Sequence, residues 1–194
     1  MKNVFHFLLF ALLCSFVQAS VITFENLTVG AEYYVGDTLV SDGVQIPGKE
    51  FFWYPSGSTT TGHVTVQTDG KAGGTGNELW LNNINLDFDF SFAPFAGISF
   101  QYGEYGGNVN LEINGVQYNE NGFAALNGTM MNGVMVTVVE GVDGKGAIFA
   151  TGLVDTFSIG GQELAIDNVI ACVPEPATLA LVALGSLSLI RKRR

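Results

Sequence analysis

The long central part of the sequence has few cations and almost no cysteine. Between Ser20 and Cys172 the only cations are Lys49, Lys71 and Lys145, against 17 acidic residues, so this part carries a net charge of −14. A strong negative charge repels phosphate backbones, which argues against nucleic-acid binding. Because Cys172 is the only cysteine there, no intrachain disulfide can form, and the core must be stable without one.

Histidine is equally scarce, since His63 is the only one in this part. Metal sites built on histidine and cysteine are therefore excluded for want of ligands. The sequence contains no G-x-S-x-G or H-E-x-x-H motif and no cysteine–histidine pair, so we do not expect an enzyme. A pair of carboxylates for sugar hydrolysis stays open as an alternative, because the many acidic residues supply many pairs.

Long helical periodicity is also absent from residues 20–172. Short apolar runs recur there at intervals of about ten residues, separated by glycine and asparagine, which is typical of all-β domains. The apolar faces of such strands must meet, and two antiparallel sheets packed face to face are the simplest solution. We therefore predict one domain over residues 20–172, an antiparallel β-sandwich with jelly-roll-like connections.

The apolar runs predict individual strands and turns. Turns are expected at Gly36-Asp37, at Asn114-Gly115 and at residues 143–146, and surface loops at residues 55–62 and 71–76. Pro47-Gly48 and Gly160-Gly161 are expected to interrupt strands. The predicted strands cover residues 21–27, 33–35, 38–40, 44–46, 51–54, 63–67, 83–92, 97–102, 109–113, 131–140, 147–151, 157–159 and 163–171.

The segment 83–92 carries the clearest pattern. A period of two places one set of residues on the core face: Ile84, Leu86, Phe88, Phe90 and Phe92. The opposite face is polar and consists of Asn83, Asn85, Asp87, Asp89 and Ser91. Asn110, Glu112 and Asn114 are candidates to extend this oxygen-rich face, which we interpret first as the ordinary wet face of a sheet.

The same face is also the candidate glycan-binding site. Asp87 and Asp89 supply acceptors for sugar hydroxyls, and Trp53 and Tyr54 supply aromatic rings for stacking. Core packing competes as the role of Trp80 and of some of these aromatic residues.

The first and last predicted strands resemble the terminal strands of jelly-roll carbohydrate-binding modules, over about 15 residues. Such folds suggest a structural Ca²⁺ near Glu25 and Asp167, and no other cofactor is expected. Alternation argues against this ion, because Phe24 and Ile166 are expected to face the core. The two carboxylates then face outward, where a cation site needs further ligands from a loop.

Residues 1–19 have the pattern of a secretory signal peptide. Lys2 precedes an apolar stretch over residues 4–17, and small residues then allow cleavage between Ala19 and Ser20. The pattern predicts export by the secretion machinery.

The last 22 residues, 173–194, divide into three parts in a fixed order. Pro174, Glu175 and Pro176 form an extended block, since each proline restricts its own φ and the residue before it. An uncharged and mostly apolar run follows over residues 177–190, and its 14 residues predict one C-terminal helix. That helix is about 21 Å long, short of the roughly 30 Å of a hydrocarbon core. The chain ends with four cations, Arg191, Lys192, Arg193 and Arg194.

This order closely resembles the PEP-CTERM sorting signal of exported proteins in Gram-negative bacteria. The resemblance implies that a membrane-embedded exosortase recognises Pro174, Glu175 and Pro176, and that residues 177–190 are a transient anchor. It further implies that the basic cluster at 191–194 stays cytoplasmic, with the body outside the inner membrane. The processed protein is then expected at the cell surface or outside the cell.

Three functions fit these observations. We favour a non-catalytic surface or matrix protein, sorted by its tail and binding exopolysaccharide. The alternatives are a secreted polysaccharide-active enzyme and a purely structural coat protein. A deep cleft with two convergent carboxylates would favour the enzyme, and a shallow acidic groove with an exposed aromatic would favour the binding protein.

Overall fold

The computed structural model describes residues 19–54, 56–90 and 94–172. These residues form β-strands in antiparallel pairs and one short 3-10 helix, so the prediction of an all-β antiparallel body is confirmed. Among the described residues, no helix is long and apolar enough to cross a membrane. The predicted signal peptide, apart from Ala19, and the predicted C-terminal helix lie outside the described residues.

The strands are, in chain order, β1 Ala19–Ile22, β2 Glu32–Tyr34, β3 Thr38–Ser41, β4 Val44–Trp53, β5 Ser58–Thr60, β6 His63–Gln67, β7 Glu78–Asn82, β8 Ile84–Asp87, β9 Phe95–Ile113, β10 Val116–Glu120, β11 Met130–Met131, β12 Val134–Glu140, β13 Lys145–Val154 and β14 Phe157–Cys172. The 3-10 helix Phe123–Leu126 lies between β10 and β11.

Two long strands form the centre of the sheet. β9 has 19 residues and β14 has 16, and they pair along most of their length, from Phe157 opposite Ile113 to Cys172 opposite Gly97. The register shifts around Gln162 and again after Asp167, and such irregularities bend and twist a strand pair. The remaining strands add to one end or the other of this bent pair.

We call the two ends the groove half and the terminal half. In the groove half, residues 109–113 of β9 pair with β10, residues 158–161 of β14 pair with β8, and β8 pairs with β4. In the terminal half, residues 95–103 of β9 pair with β13, which continues through β12 to β11. On its other side, the later part of β14 pairs with β7 and β1, so the first and last strands are neighbours.

Both halves contribute to one hydrophobic core. Its centre is aromatic: the ring of Phe157, from the groove half, lies 5.4 Å from Phe88 and 5.7 Å from Phe100 of the terminal half. Phe123 of the 3-10 helix packs against Phe100 at 5.8 Å. Contacts of this kind add to the stabilisation that burial of apolar area provides.

Several predicted strand boundaries are corrected by the structure. β1 ends at Ile22 and not at residue 27, because Phe24 adopts a φ of 63°, which an extended strand does not allow. β5 occupies part of the predicted loop 55–62, and β7 lies in a segment for which no strand was predicted. β9 joins two predicted strands into one.

The two expected interruptions are also wrong. β4 continues through Pro47-Gly48, where it changes partner from β3 to β8. A Cβ at Gly48 would lie 2.8 Å from the carbonyl oxygen of Tyr34, so this glycine permits a close approach of β2. β14 also continues through Gly160-Gly161. Glycine is needed at residue 160 because a side chain there would collide with Asn85. Each glycine marks a close contact and not the end of a strand.

The alternation predicted for residues 83–92 is confirmed for its core-facing residues up to residue 90, whereas Ser91 and Phe92 lie outside the described residues. Ile84, Leu86, Phe88 and Phe90 are buried, whereas Asp87 is half-exposed and Asp89 exposed. The hairpin turns at Asn114-Gly115 and Asp143-Gly144 are confirmed as well, with positive φ at all four residues.

These neighbouring positions allow a sharp test of the register. Residues 20–172 expressed alone should be soluble, monomeric and β-rich in far-UV circular dichroism. Phe88→Asp should unfold this domain, because it places a charge among Phe90 and Phe157 at a cost of at least about 4 kcal/mol. Asp87→Asn should change the free energy of unfolding by less than about 1 kcal/mol, because its partner Lys49 is exposed. Equal effects in urea denaturation, or a helical spectrum, would contradict this register.

Candidate functional site

The outer face of the groove half contains the candidate site. Two adjoining cavities of about 370 and 770 Å³ lie on it and share the lining residues Pro47, Asp87, Glu112 and Ser158. We call this continuous depression the groove. It crosses β4, β8, β14 and β9, so its floor is formed by paired strands and not by mobile loops.

One row of polar side chains crosses the groove in register. Asp87 lies opposite Ser158, Ser158 lies opposite Glu112, and Glu112 lies opposite Gln117. Lys49 Nζ lies 3.1 Å from Asp87 Oδ2, and Gln117 Nε2 donates to Glu112 Oε2 at 2.5 Å. The groove therefore presents acceptors and donors side by side, as recognition of hydroxyl groups requires.

The next row is a chain of asparagine amides. Asn108 donates to Asn119 at 2.8 Å, Asn119 to Asn110 at 2.6 Å and Asn110 to Asn85 at 3.0 Å. Asn85 in turn donates to the carbonyl oxygen of Glu50 at 2.9 Å. Every step runs in the same direction, so Asn119, Asn110 and Asn85 are each both donor and acceptor.

This row corrects the interpretation of the polar face as simply wet. Asn85, Asn110 and Asn119 are 4%, 1% and 8% exposed, although they lie on the outer side of the sheet. Gly160 leaves the space into which Asn85 packs, and the amides satisfy one another there. Asn114 has a different role, because its Oδ1 accepts from the backbone of Asp155 and its Nδ2 donates to Leu153.

The structure places only part of the predicted glycan site in the groove. Asp87 and Asp89 both line the smaller cavity. Trp53 and Tyr54 line neither cavity; Phe52 lines the larger one, and Phe88, Phe90 and Phe157 line the smaller one. Trp53 instead packs against the buried Phe51, with ring centroids 5.2 Å apart, and Tyr54 lies just beyond the end of β4.

Several groove residues were missed from the sequence. Ser158 lies between Phe157 and Ile159, an alternation that indicates its outward position. Pro47 and Lys49 alternate with the buried Ile46 and Gly48 and therefore also face outward. The strand break expected at Pro47-Gly48 hid this alternation. Asp155 lines the smaller cavity from the connection between β13 and β14, which no periodic pattern describes.

A second cluster of acidic side chains lies in the terminal half, against the glycine-rich loop 68–77. Glu78, only 1% exposed, accepts hydrogen bonds from the backbone of Lys71 at 2.8 Å and of Ala72 at 2.7 Å. The ammonium of Lys71 then lies 4.0 Å from the centre of the Trp80 ring. The loop thus covers one face of Trp80, so that face is not free to stack on a sugar.

Asp167 lies beneath the same loop. It is on the outer side of β14, as the alternation predicts, but it is only 2% exposed because Gly74 packs against its carboxylate. Its pKa is raised from 3.8 to about 6, chiefly by burial and also by the nearby carboxylates of Glu78 and Glu25. Hydrogen bonds from Asn168 oppose this rise.

Glu25 is exposed and lies against the loop at Gly76, where its Oε1 accepts a hydrogen bond from the Asn77 backbone at 3.0 Å. The structure thus brings the two predicted Ca²⁺ ligands, Glu25 and Asp167, to one loop. Among the described residues, however, no group of three histidine, cysteine or acidic side chains is placed to hold a metal ion. The Ca²⁺ hypothesis stays a prediction.

The predicted signal-cleavage site lies at the start of the described chain, and the predicted sorting residues lie beyond its end. Ala19 and Ser20, between which signal cleavage is predicted, begin β1 and pair with Cys172 and Ala171. The sorting residues Pro174, Glu175, Pro176, Arg191, Lys192, Arg193 and Arg194 lie outside the described residues.

Comparison with known proteins identifies this C-terminal segment. Residues 173–194 match the family model of the PEP-CTERM protein-sorting motif. The resemblance found in the sequence is confirmed, and the motif indicates an exported protein that is anchored in a membrane and then processed by an exosortase. No curated protein and no solved structure matches the chain.

The buried carboxylate of Asp167 predicts an unusual dependence of stability on pH. Its pKa is higher in the folded than in the unfolded state, so the folded protein binds the proton more tightly. Its contribution to stability is present below about pH 4 and is lost as the pH rises through about 6. Asp167→Asn should therefore raise the free energy of unfolding at pH 7 by about 2 kcal/mol and flatten this dependence between pH 4 and 6.

Urea denaturation from pH 4 to 8 in the presence of a chelator measures this effect. Asp143→Asn is the control, because Asp143 lies in an exposed turn and its replacement should leave the profile unchanged. A wild-type profile matched by Asp167→Asn would contradict the prediction. Repeating the series with millimolar Ca²⁺ tests the cation hypothesis, because an ion that binds only the folded state must raise its stability.

Proposed function

We propose that the protein is a non-catalytic cell-surface or matrix protein that an exosortase sorts by its C-terminal motif, and that its groove binds exopolysaccharide. The sorting part rests on the match of residues 173–194 to the PEP-CTERM motif. The binding part rests on the register of polar side chains across the groove. The bent sheet then acts as a jelly-roll-like sandwich over residues 20–172, whose outer surface presents the groove.

The order of events follows from the distribution of charge along the chain. The signal peptide over residues 1–19 directs export, and cleavage separates Ala19 from Ser20. The apolar run 177–190 then stops in the inner membrane, because moving Arg191 to Arg194 through hydrocarbon costs far more than leaving them cytoplasmic. Pro174, Glu175 and Pro176 are thereby held at the outer membrane edge, where an exosortase reaches them.

The groove suits a neutral or cationic polysaccharide. Asp87 and Glu112 offer carboxylate acceptors, Lys49 and Gln117 offer donors, and Phe52 adds an apolar surface. The two adjoining cavities, of about 370 and 770 Å³, leave room for more than one sugar. An anionic polymer is disfavoured, since the body carries a net charge of −14.

The enzyme and coat alternatives differ from this proposal in the role of the same acids. A glycoside hydrolase needs one carboxyl that stays protonated and faces a second across the scissile bond. Asp87 is instead paired with Lys49, and Glu112 is hydrogen-bonded to Gln117, which favours binding over catalysis. A coat protein without a ligand has no need of a groove whose floor is held by buried amides.

Replacement of Pro174-Glu175-Pro176 by three alanines tests the sorting proposal. Export should continue, because the signal peptide is intact, but uncleaved precursor should accumulate in the inner membrane. Cell fractionation followed by mass measurement of the protein distinguishes the two forms. A matched control replaces the three exposed residues of β5, residues 58–60, by alanine and should be processed normally. A mutant that reached the exterior with wild-type mass would contradict the sorting proposal.

Glu112→Ala and Asp87→Ala test the groove. A glycan array probed with residues 20–172, followed by calorimetry, should identify a polysaccharide ligand. Each variant should then weaken binding on the order of ten-fold, because a hydrogen bond to a charged group contributes about 1.5 kcal/mol or more. Glu140→Ala, in an exposed position at the end of β12, should bind as wild type does. Hydrolysis of the ligand would favour the enzyme, and no binding on the array would favour the coat protein.

A further inference from the structure

Part of the outer face of the terminal half is a sheet surface without charges, and it ends where Asp167 of β14 lies beneath the loop 68–77. Its residues lie in register across β11, β12, β13, β9, β14 and β1. We call this the apolar face, and it consists of Ala19, Val21, Gly97, Ser99, Gln101, Met130, Met135, Thr137, Val139, Ala147, Phe149, Thr151, Ile170 and Cys172. None of these described residues is charged, and only Ser99, Gln101, Thr137 and Thr151 are polar.

The apolar side chains of this face are well exposed. Met130 and Val139 are each 53% exposed, Phe149 is 45% exposed and Val21 is 43% exposed. The alternate residues of the same strands are buried in the core, so these side chains have no place in it. An exposed apolar surface of several strands marks an interaction site on a soluble protein.

Both ends of the described chain leave from this face. Ala19 and Cys172 are members of it and are paired directly across β1 and β14. The apolar run 4–17 ends just before Ala19, and the apolar run 177–190 begins five residues after Cys172. Five residues span at most about 18 Å, so an anchor in the bilayer holds this edge of the body close to the lipid surface.

Charge decides which side of the body tolerates that position. The body carries a net charge of −14, and anionic headgroups repel acidic surfaces such as the groove half, where Asp87, Asp89 and Glu112 lie. The apolar face brings no charge to the interface, and side chains such as Phe149 are stabilised when they enter the headgroup region. We propose that the apolar face lies on the outer surface of the lipid bilayer while the precursor is anchored.

This proposal rests on the anchoring described under the proposed function, and it adds an orientation. With the apolar face on the lipid, the groove half is held away from the membrane. Residues 174–176 would then lie between the bilayer and the edge of the body where β1 and β14 pair. The body would then present the sorting motif to a membrane-embedded enzyme in one fixed orientation, and cleavage would release the apolar face from the surface.

Spin labels in the full-length precursor test this orientation. Cys14 and Cys172 are first replaced by serine, and single cysteines are then introduced as Phe149→Cys on the apolar face or Gln117→Cys in the groove half. Each labelled precursor is reconstituted in vesicles of phosphatidylethanolamine and phosphatidylglycerol. Collisions with oxygen, which concentrates in lipid, are compared with collisions with a water-soluble nickel complex.

We expect the label at 149 to lose access to the nickel complex and gain access to oxygen on reconstitution, whereas the label at 117 keeps its access to nickel. Adding Thr137→Glu, a charge at an exposed position directly opposite Phe149, should restore nickel access at 149. Thr59→Glu, also at an exposed position but on β5, should not.

Three results would overturn the proposal. Equal nickel access at 149 and 117 in anchored precursor would refute the orientation while leaving the anchor intact. Shielding of 149 from both reagents would assign the face to a second copy of the chain. Precursor that does not float with the vesicles would refute the anchoring itself, and the proposed orientation with it. None of these outcomes bears on polysaccharide binding, which the glycan array measures separately.

Discussion

The antiparallel pairing of β9 with β14 is the interaction on which the rest of the structure depends. No other two strands of the described chain pair over so long a register, from Phe157 opposite Ile113 to Cys172 opposite Gly97. Because the pair bends at its irregularities, one continuous sheet supplies both the groove half and the terminal half. The groove lies on one end of this pair and the apolar face on the other.

The two ends solve the problem of an outward-facing sheet surface in opposite ways. In the groove half the outer side chains are polar, and a directional chain of amides fixes those nearest the sheet. A buried amide without a partner is costly, so this chain holds β4, β8, β9 and β10 in one relative position. On the apolar face of the terminal half, the outer side chains are mostly apolar and do not form such a chain of hydrogen bonds. They are free to be covered by another surface.

The sequence predicts the fold class and the local register well, because both depend on alternation. The pattern over residues 84–90 correctly separates Phe88 from Asp87, and the asparagine–glycine pair at 114–115 correctly predicts a hairpin. Pro47-Gly48 and Gly160-Gly161 were misread for one reason. A glycine between two apolar runs has the same local signal whether the strand ends or another chain segment packs closely against it.

The candidate sites were harder to predict, because they depend on contacts between distant segments. The outward position of Asp167 follows from alternation, but its burial depends on Gly74, more than ninety residues earlier in the chain. Their aromatic rings make Trp53 and Tyr54 candidates from the sequence, but β4 loses its alternation at the exposed residues Lys49 and Glu50, and Phe52 lines the groove instead. The C-terminal motif needed no tertiary contact to be recognised, because it is read as a linear sequence.

The central position of β14 also determines when the sheet can form. It is the last strand to be synthesised, yet β1, β7, β8 and β9 all pair with it. A chain that crosses a membrane from its N-terminus therefore lacks its central pairing until residue 172 has emerged, and until then it stays loose enough to thread through a narrow channel. The proposed anchor over residues 177–190 begins five residues behind the strand that completes the sheet, so arrest of transport by that anchor and closure of the core would coincide.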